Sequence, residues 1–153
     1  MDSLDYEAEL GVIIGRDCKN VSEAEAAQYI FGYTVVNDVS ARNLQTAHNQ
    51  WYFGKSLDGF TPMGPCILTA DEVAFPPALA ISSTVNGEKR QNSNTDHLIH
   101  SVAEIIAELT RGITLRAGTI IATGTPAGVG PVRPGDNLRA VLEGRELLNF
   151  DIR

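Results

Sequence analysis

No apolar run in this chain of 153 residues is long enough to cross a bilayer, since the longest, such as residues 118–123, have the length of a strand. Residues 1–5 are acidic and lack the basic and apolar regions of a secretory signal. These two absences predict a cytoplasmic protein that has no membrane as a partner.

Basic residues are scarce relative to acidic ones. The chain has 12 Lys and Arg against 19 Asp and Glu, a formal net charge of −7, and it has no basic run. Such a chain lacks the positive surface that binds a phosphate backbone. We therefore expect no nucleic-acid partner. The two cysteines, Cys18 and Cys66, are too few for a disulfide framework and lack metal-ligand spacing, so we interpret both as small apolar residues in a reducing compartment.

Several common catalytic signatures are also missing. The chain has no Gly-x-Ser-x-Gly elbow, and the glycine-rich loop 123–130 lacks the Lys-Ser/Thr ending of a phosphate-binding loop. The three histidines do not form a ligand cluster by their spacing. We interpret His97 and His100 as structural or exposed, whereas His48 lies in a loop from which it could approach a site.

Strand patterns outnumber helix patterns. One helix is predicted to begin at Ser22, where Glu25 completes a capping box, and the other covers residues 96–111. Segment 39–63 is predicted to be a long irregular loop. Predicted strands cover residues 6–15, 33–37, 66–69, 80–85, 89–92, 119–123, 137–142 and 147–152. Because strands and helices do not alternate, the pattern favours an α+β fold, a β-rich mixed-sheet β-roll with two helices, over a doubly wound sheet.

Two carboxylates near the start of the chain are the first candidate site. Glu7 and Glu9 stand two apart in a predicted strand, so both side chains point to the same face. Asp38, at the end of another predicted strand, adds a third carboxylate. Buried carboxylates repel each other, and a divalent cation with oxygen ligands would relieve that repulsion. The alternatives are a solvated strand face for the two glutamates and a turn-capping role for Asp38.

Five segments, in this order along the chain, resemble the fumarylacetoacetate hydrolase family. They are DYEAEL (5–10), VNDVSARN (36–43), GKSLDG (54–59), VNGE (85–88) and TGTPAGVG (123–130). The resemblance implies the family's β-roll core and a Mg²⁺ or Mn²⁺ site made by Glu7, Glu9 and Asp38.

The same resemblance implies roles for four further residues. Lys55 corresponds to the family's active-site lysine, which balances charge and hydrogen-bonds a substrate oxygen. Arg42, Gln45 and Thr125 correspond to residues that face the substrate, and an arginine there could clamp a carboxylate. The alternatives are a surface lysine for Lys55 and a loop-stabilising ion pair for Arg42.

The implied activity is that of a divalent-metal-dependent enzyme acting on a small 2-oxo or β-diketo acid through a metal-stabilised enolate. Hydrolysis of a C–C bond, decarboxylation, isomerisation and hydration share such a site. Oxaloacetate decarboxylation needs the least machinery. The resemblance also implies a homodimer, and open strand edges give a second reason to expect association.

Family members generally have further sequence before the first of these segments, often with a histidine paired to a glutamate. Only six residues precede Glu7 here. We therefore expect residues 1–153 to form one catalytic domain without that segment, in a natural short homologue or in a truncated or split form. The alternative function is a homologue, or a fragment of a split enzyme, that binds metal but is catalytically silent.

Overall fold

A computed structural model describes residues 3–47 and 49–153. These residues form eleven strands: β1 (Leu4–Tyr6), β2 (Ala8–Ile14), β3 (Ile30–Asn37), β4 (Ser40–Ala41), β5 (Leu68–Thr69), β6 (Ala80–Val85), β7 (Glu88–Asn94), β8 (Ile120–Ala122), β9 (Gly130–Val132), β10 (Asn137–Leu142) and β11 (Arg145–Asp151). The α-helices within the same ranges are α1 (Arg42–Ala47), α2 (Trp51–Lys55) and α3 (Val102–Gly112), and 3₁₀ turns cover Glu23–Tyr29 and Thr95–His97.

The strands form three sheets, with orders β5-β3-β2-β8, β11-β10-β6-β7 and β4-β1-β9. Each recorded strand pair within the described ranges is antiparallel, so mixed strand direction is not seen there. The β-rich α+β class predicted from the sequence is confirmed. No helix within those ranges has the length and apolar character that crossing a membrane would require.

Strand β2 lies inside its sheet, between β3 and β8, and every residue of the strand is buried. Apart from Glu9 its residues are apolar or glycine, as a strand covered on both faces requires. Leu10 and Val12 join the main hydrophobic core, together with Ile106 of α3 and Leu142 of β10. The core therefore holds in place the strand that carries Glu9.

The prediction that residues 39–63 form an irregular loop is wrong in part. The segment contains β4, α1 and α2. Helices of five or six residues are too short to form alone and show no apolar period, so their sequence carries little signal. Here the two helices stabilise each other by close packing, since a Cβ on Gly54 would lie 2.7 Å from the backbone nitrogen of Gln45.

The prediction of one helix over residues 96–111 is also wrong at its start. A 3₁₀ turn ends at His97, and α3 begins only after Ser101, whose hydroxyl accepts a hydrogen bond from the Glu104 amide in a capping box. This capping box is a stronger N-terminal signal than Asp96. Ile99, which lies before the first residue of α3, is 94% exposed. The capping box at Ser22 is present, but the helix it starts is 3₁₀.

Candidate active site

Three carboxylates meet at one end of β2 and β3. One oxygen from each of Glu7, Glu9 and Asp38 can be chosen so that all three lie within 4.8 Å of one another. Glu7 falls between β1 and β2, Glu9 lies on β2, and Asp38 directly follows β3. Both glutamates are buried, with 7% and 3% of their surface exposed. The structure thus brings together the three residues that the sequence proposed as metal ligands.

Backbone pairing between β2 and β3 explains this meeting. Ala8 lies opposite Asn37 in the antiparallel register. The amide of Asp38 donates to the carbonyl of Glu7 at 2.8 Å, and the amide of Glu7 donates to Oδ1 of Asn37 at 2.7 Å. Because both backbone groups of Glu7 are held from the β3 side, Asp38 is fixed beside the two glutamates.

Two cationic side chains neutralise part of this charge. The Lys55 ammonium donates to Oδ2 of Asp38 at 2.5 Å and to Oε2 of Glu7 at 3.1 Å. The Arg42 guanidinium donates to Oε1 of Glu7 at 2.5 Å and to Oδ2 of Asp5 at 2.8 Å. Burial alone would lower the pKa of both cations, but their hydrogen bonds to the carboxylates outweigh it and raise the pKa. Both groups are therefore charged at neutral pH.

The charges do not cancel. Within residues 3–47 and 49–153, the ion pairs of Asp5, Glu7, Glu9 and Asp38 are made with Lys55 and Arg42, which leaves an excess of two negative charges when all six groups are ionised. Carboxylate oxygens in excess are the donor set that Mg²⁺ and Mn²⁺ prefer, so the residues present fit a divalent cation.

Glu9 shows most clearly that this charge is costly. Burial, and then the nearby Asp38 and Glu7, raise the pKa of the Glu9 carboxyl from 4.5 to about 7, although the Gly124 amide and Lys55 act in the opposite direction. A bound cation would favour the ionised form of the same group.

The glycine-rich loop after β8 reaches the same carboxylates. The amide of Gly124 donates to Oε2 of Glu9 at 2.7 Å. The hydroxyl of Thr125 donates to the carbonyl of Ala8 at 2.8 Å and accepts from Nε2 of Gln91 at 2.7 Å. Thr125 therefore links the loop to β2 and β7, and its role toward a substrate stays a prediction.

Arg42 and Gln45 lie in α1 and contact each other, since Nη1 of Arg42 donates to Oε1 of the buried Gln45 at 3.0 Å. Arg42 makes ion pairs with Asp5 and Glu7, as the alternative of a stabilising ion pair predicted. Its three bonds, including the one to Gln45, use only part of its five N–H groups. Substrate binding by these two residues also stays a prediction.

The two histidines that the structure describes, His97 and His100, are exposed. His97 is exposed and pairs weakly with Asp96, and His100 lies on the surface near the start of α3. Neither is among the residues around the three carboxylates. His48 lies outside the described residues.

Sequence reasoning missed three residues of this region. Asp5 belongs to the segment DYEAEL, where no pattern indicates a role for it, yet it pairs with Arg42. Asn37 is fully buried, and its Nδ2 has no hydrogen-bond partner within residues 3–47 and 49–153. Gln91 is equally buried, although every residue of its strand, β7, is polar. A single amide in a polar strand gives no sequence signal, because only the tertiary structure shows that it is buried.

A cavity of about 790 Å³ borders the loop whose Gly124 amide contacts Glu9. It is lined by Leu10, which alternates with Glu9 along β2, by residues of α3 such as Ile105 and Leu109, and by loop residues 123–127. None of the acidic ligand candidates lines it. His97, His100 and several hydroxyl side chains also line the cavity, but we place the chemistry at the carboxylates, because these are the residues that can hold a divalent cation.

Comparison with known proteins shows the family to which the chain belongs. Residues 1–152 match the sequence profile described as fumarylacetoacetate (FAA) hydrolase C-terminal. Over 147 residues the chain is 44% identical to the oxaloacetate tautomerase YisK of Bacillus subtilis, an alignment that covers 92% of this chain and 49% of that protein.

Two solved structures are similar throughout this chain. The fumarylacetoacetate hydrolase of Exiguobacterium antarcticum has 43% identity and a TM-score of 0.94, over 100% of this chain and 57% of that one. The fumarylpyruvate hydrolase of Pseudomonas aeruginosa in complex with Mn²⁺ and pyruvate has 36% identity and a TM-score of 0.93, over 99% of this chain and 66% of that one. This chain spans about half the length of the curated relatives it matches.

Proposed function

Because this chain belongs to the fumarylacetoacetate hydrolase family, we propose that it is a divalent-metal-dependent enzyme that acts on a small 2-oxo or β-diketo acid through an enolate. The observation that carries this proposal is the set of three carboxylates with excess negative charge, two of which, Glu7 and Asp38, bind the Lys55 ammonium. Named relatives include a hydrolase and a tautomerase of small oxo acids.

Glu7, Glu9 and Asp38 would hold Mg²⁺ or Mn²⁺. The relative in complex with Mn²⁺ and pyruvate supports this choice of ion and of a 2-oxo acid as ligand. A cation held there supplies Lewis acidity to the oxo and carboxylate oxygens of a substrate.

The chain's own residues would do the rest. The Lys55 ammonium, which is only partly exposed, would donate a hydrogen bond to the oxygen on which negative charge develops when the enolate forms. The Arg42 guanidinium would bind a substrate carboxylate with N–H groups that its three internal bonds leave over.

Among the possible reactions, enolisation of oxaloacetate by tautomerisation or decarboxylation is favoured. In decarboxylation the C3–C4 bond breaks, its electron pair enters the enolate, and CO₂ leaves. In tautomerisation a C3 proton leaves and an oxygen gains one. Both need enolate stabilisation without an activated water, which a cation held by the carboxylates and the Lys55 ammonium would supply. Similarity to an oxaloacetate tautomerase supports the same substrate.

The direct test is an assay of oxaloacetate with Mn²⁺, following the ultraviolet absorbance of the enol and the release of pyruvate, with acylpyruvates as alternative substrates. We expect rates above those of Mn²⁺ alone, and loss of the rate in Glu9→Gln but not in Glu23→Gln, which changes an exposed glutamate. A protein that binds Mn²⁺ tightly and turns over none of these acids would instead be the silent homologue.

We also propose that the protein forms a homodimer. Trp51 and Tyr52 of α2 are 64% and 76% exposed. Ile99, which lines the cavity beside the glycine-rich loop, is 94% exposed. Exposed apolar surface of this kind is commonly covered by another protein. Light scattering at micromolar concentration should give about twice the 16.5 kDa mass of one chain. A clean monomer that turns over substrate would contradict this.

A further inference from the structure

One edge of β2 runs out of strand partners just before the carboxylates. Strand β8 pairs with residues 11–13 of β2, and Thr123 then donates from its amide and hydroxyl to the carbonyl of Leu10. Ala8 lies beyond this pairing. Its buried N–H and C=O groups still need partners, because an unpaired buried backbone group is costly.

Two side chains supply those partners. Oε1 of Gln91 accepts from the amide of Ala8 at 3.1 Å, and Oγ1 of Thr125 donates to the carbonyl of Ala8 at 2.8 Å. Nε2 of Gln91 donates to Oγ1 of Thr125 at 2.7 Å. The three hydrogen bonds form a closed ring, which we call the Ala8 ring, and this ring replaces a strand at the edge of β2.

Gln91 is held firmly enough to serve as the fixed part of the Ala8 ring. Its side chain is fully buried, Oε1 also accepts from the Ser83 hydroxyl at 2.9 Å, and Nε2 also donates to the Pro126 carbonyl at 2.9 Å. Two acceptor and two donor positions are thus all used, which is the complete capacity of an amide. A side chain bonded at four points has one orientation.

Ala8 lies between Glu7 and Glu9. In a strand the direction of each side chain follows from the backbone orientation of its neighbours, so a rotation at Ala8 would turn both carboxylates. The ring also anchors the loop that carries Gly124, whose amide contacts Glu9. Close packing at Gly128 supports this anchoring, because a Cβ there would lie 2.2 Å from the carbonyl oxygen of Arg90.

We propose that Gln91 is a positioning residue, which acts through the Ala8 ring to fix the directions of Glu7 and Glu9 and the contact of Gly124 with Glu9. Its effect on cation binding rests on the proposed function. Its effect on the backbone does not. Outer residues that orient metal ligands typically change metal affinity by roughly ten- to hundredfold when altered.

The test compares three ring variants with one control. Gln91→Met removes all four hydrogen bonds at similar size. Thr125→Val removes two bonds of the ring at a half-buried loop residue with little change in shape, and Thr125→Ser restores the hydroxyl. The control, Thr110→Val, removes a fully buried hydroxyl that bonds Val21 and Ile106, away from the site.

Two readouts are measured on each protein. Hydrogen exchange of the Gly124 amide, followed by NMR with EDTA present, reports the backbone contact without any metal. Calorimetric titration with Mn²⁺ reports the ligand geometry without any substrate. We expect Gln91→Met and Thr125→Val to accelerate Gly124 exchange and to weaken Mn²⁺ binding by roughly tenfold or more, whereas Thr125→Ser and Thr110→Val stay near wild type.

The outcomes separate the two proposals. If the ring variants exchange the Gly124 amide faster and the wild-type protein binds no Mn²⁺, the positioning role is supported and the proposed metal site is overturned. Wild-type exchange and Mn²⁺ affinity in Thr125→Val overturn the positioning role and leave the metal site standing. If Gln91→Met does not fold, Thr125→Val and its Thr125→Ser rescue still decide the question. An equal loss of Mn²⁺ affinity in Thr110→Val would also overturn the proposal, because the effect would then be general destabilisation.

Discussion

The ammonium nitrogen of Lys55 lies 2.5 Å from Oδ2 of Asp38, 17 residues earlier in the chain. Lys55 ends α2, whereas Asp38 follows β3, so the contact joins the helical segment to the sheet. It places a fixed positive charge on a carboxylate that we assign to a cation. Lys55 and a bound cation would therefore compete for the same carboxylates. Removal of Lys55 should lower activity but should not weaken metal binding.

Lys55→Ala should abolish most activity while it retains metal binding. Loss of one donor to a developing oxyanion typically costs about 100-fold or more in rate. Mn²⁺ affinity should stay equal or become tighter, because the ammonium no longer repels the ion or bonds Asp38 and Glu7. Steady-state rates and calorimetric titration measure the two effects, with Lys89→Ala, at an exposed lysine, as the control. Equal rates in Lys55→Ala and wild type would remove Lys55 from the mechanism.

Glu9→Gln should weaken Mn²⁺ binding by at least the roughly ten- to hundredfold that is typical for residues that merely orient a ligand, since it removes the charge of a ligand candidate itself. The amide oxygen of Gln can still accept from the Gly124 amide, so the fold should tolerate the change. In EDTA at pH 8 the free energy of unfolding should be at least that of wild type, because a buried charge is gone. Chemical denaturation and calorimetry measure both. Unchanged Mn²⁺ affinity would contradict the ligand assignment.

The stability of the metal-free protein should fall as the pH rises from about 4.5 to about 7. The pKa of Glu9 is raised from 4.5 to about 7 in the folded state, so within this window the folded chain holds a proton that the unfolded chain has lost. The stabilisation is complete below pH 4.5 and is lost above pH 7. Full development of this shift would change the free energy of unfolding by on the order of 3 kcal/mol.

The difference between wild type and Glu9→Gln isolates this effect from other titrating groups. Denaturation curves at several pH values, with EDTA present, should show a gap between the two proteins that changes between pH 5 and pH 7. Parallel pH profiles would mean that Glu9 ionises normally in the folded protein.

Gly54→Ala should lower both stability and activity. A Cβ at this position would lie 2.7 Å from the backbone nitrogen of Gln45, so α2 must move away from α1 and take Lys55 with it. Overpacking of this kind costs about 1–3 kcal/mol. Gly112→Ala is the matched control, because its Cβ meets no atom within 4 Å. Thermal unfolding and steady-state rates should separate the variants, and a Gly54→Ala protein with wild-type rates would show that α2 need not be fixed.

The sequence predicted the elements whose signals are local. Asn86-Gly87 is a hairpin signal of this local kind: it joins β6 to β7, and both residues have positive φ, as such a turn requires. The capping box at Ser22 is present, as its spacing indicated. The alternation of Glu7 and Glu9 predicted two carboxylates on one face, and their oxygens do meet. These signals act over two to four residues, so they are visible without the fold.

The sequence by itself thus determined the β-rich class, the turns and the pairing of Glu7 with Glu9. Only the tertiary structure decided that Lys55 reaches Asp38 and that Gln91 lies against Ala8, 83 residues away. Such contacts follow from strand register and from the burial of the core as a whole. The residues next to Lys55 or Gln91 in the sequence do not determine strand register or core burial. The short helix that carries Lys55 would not form without them.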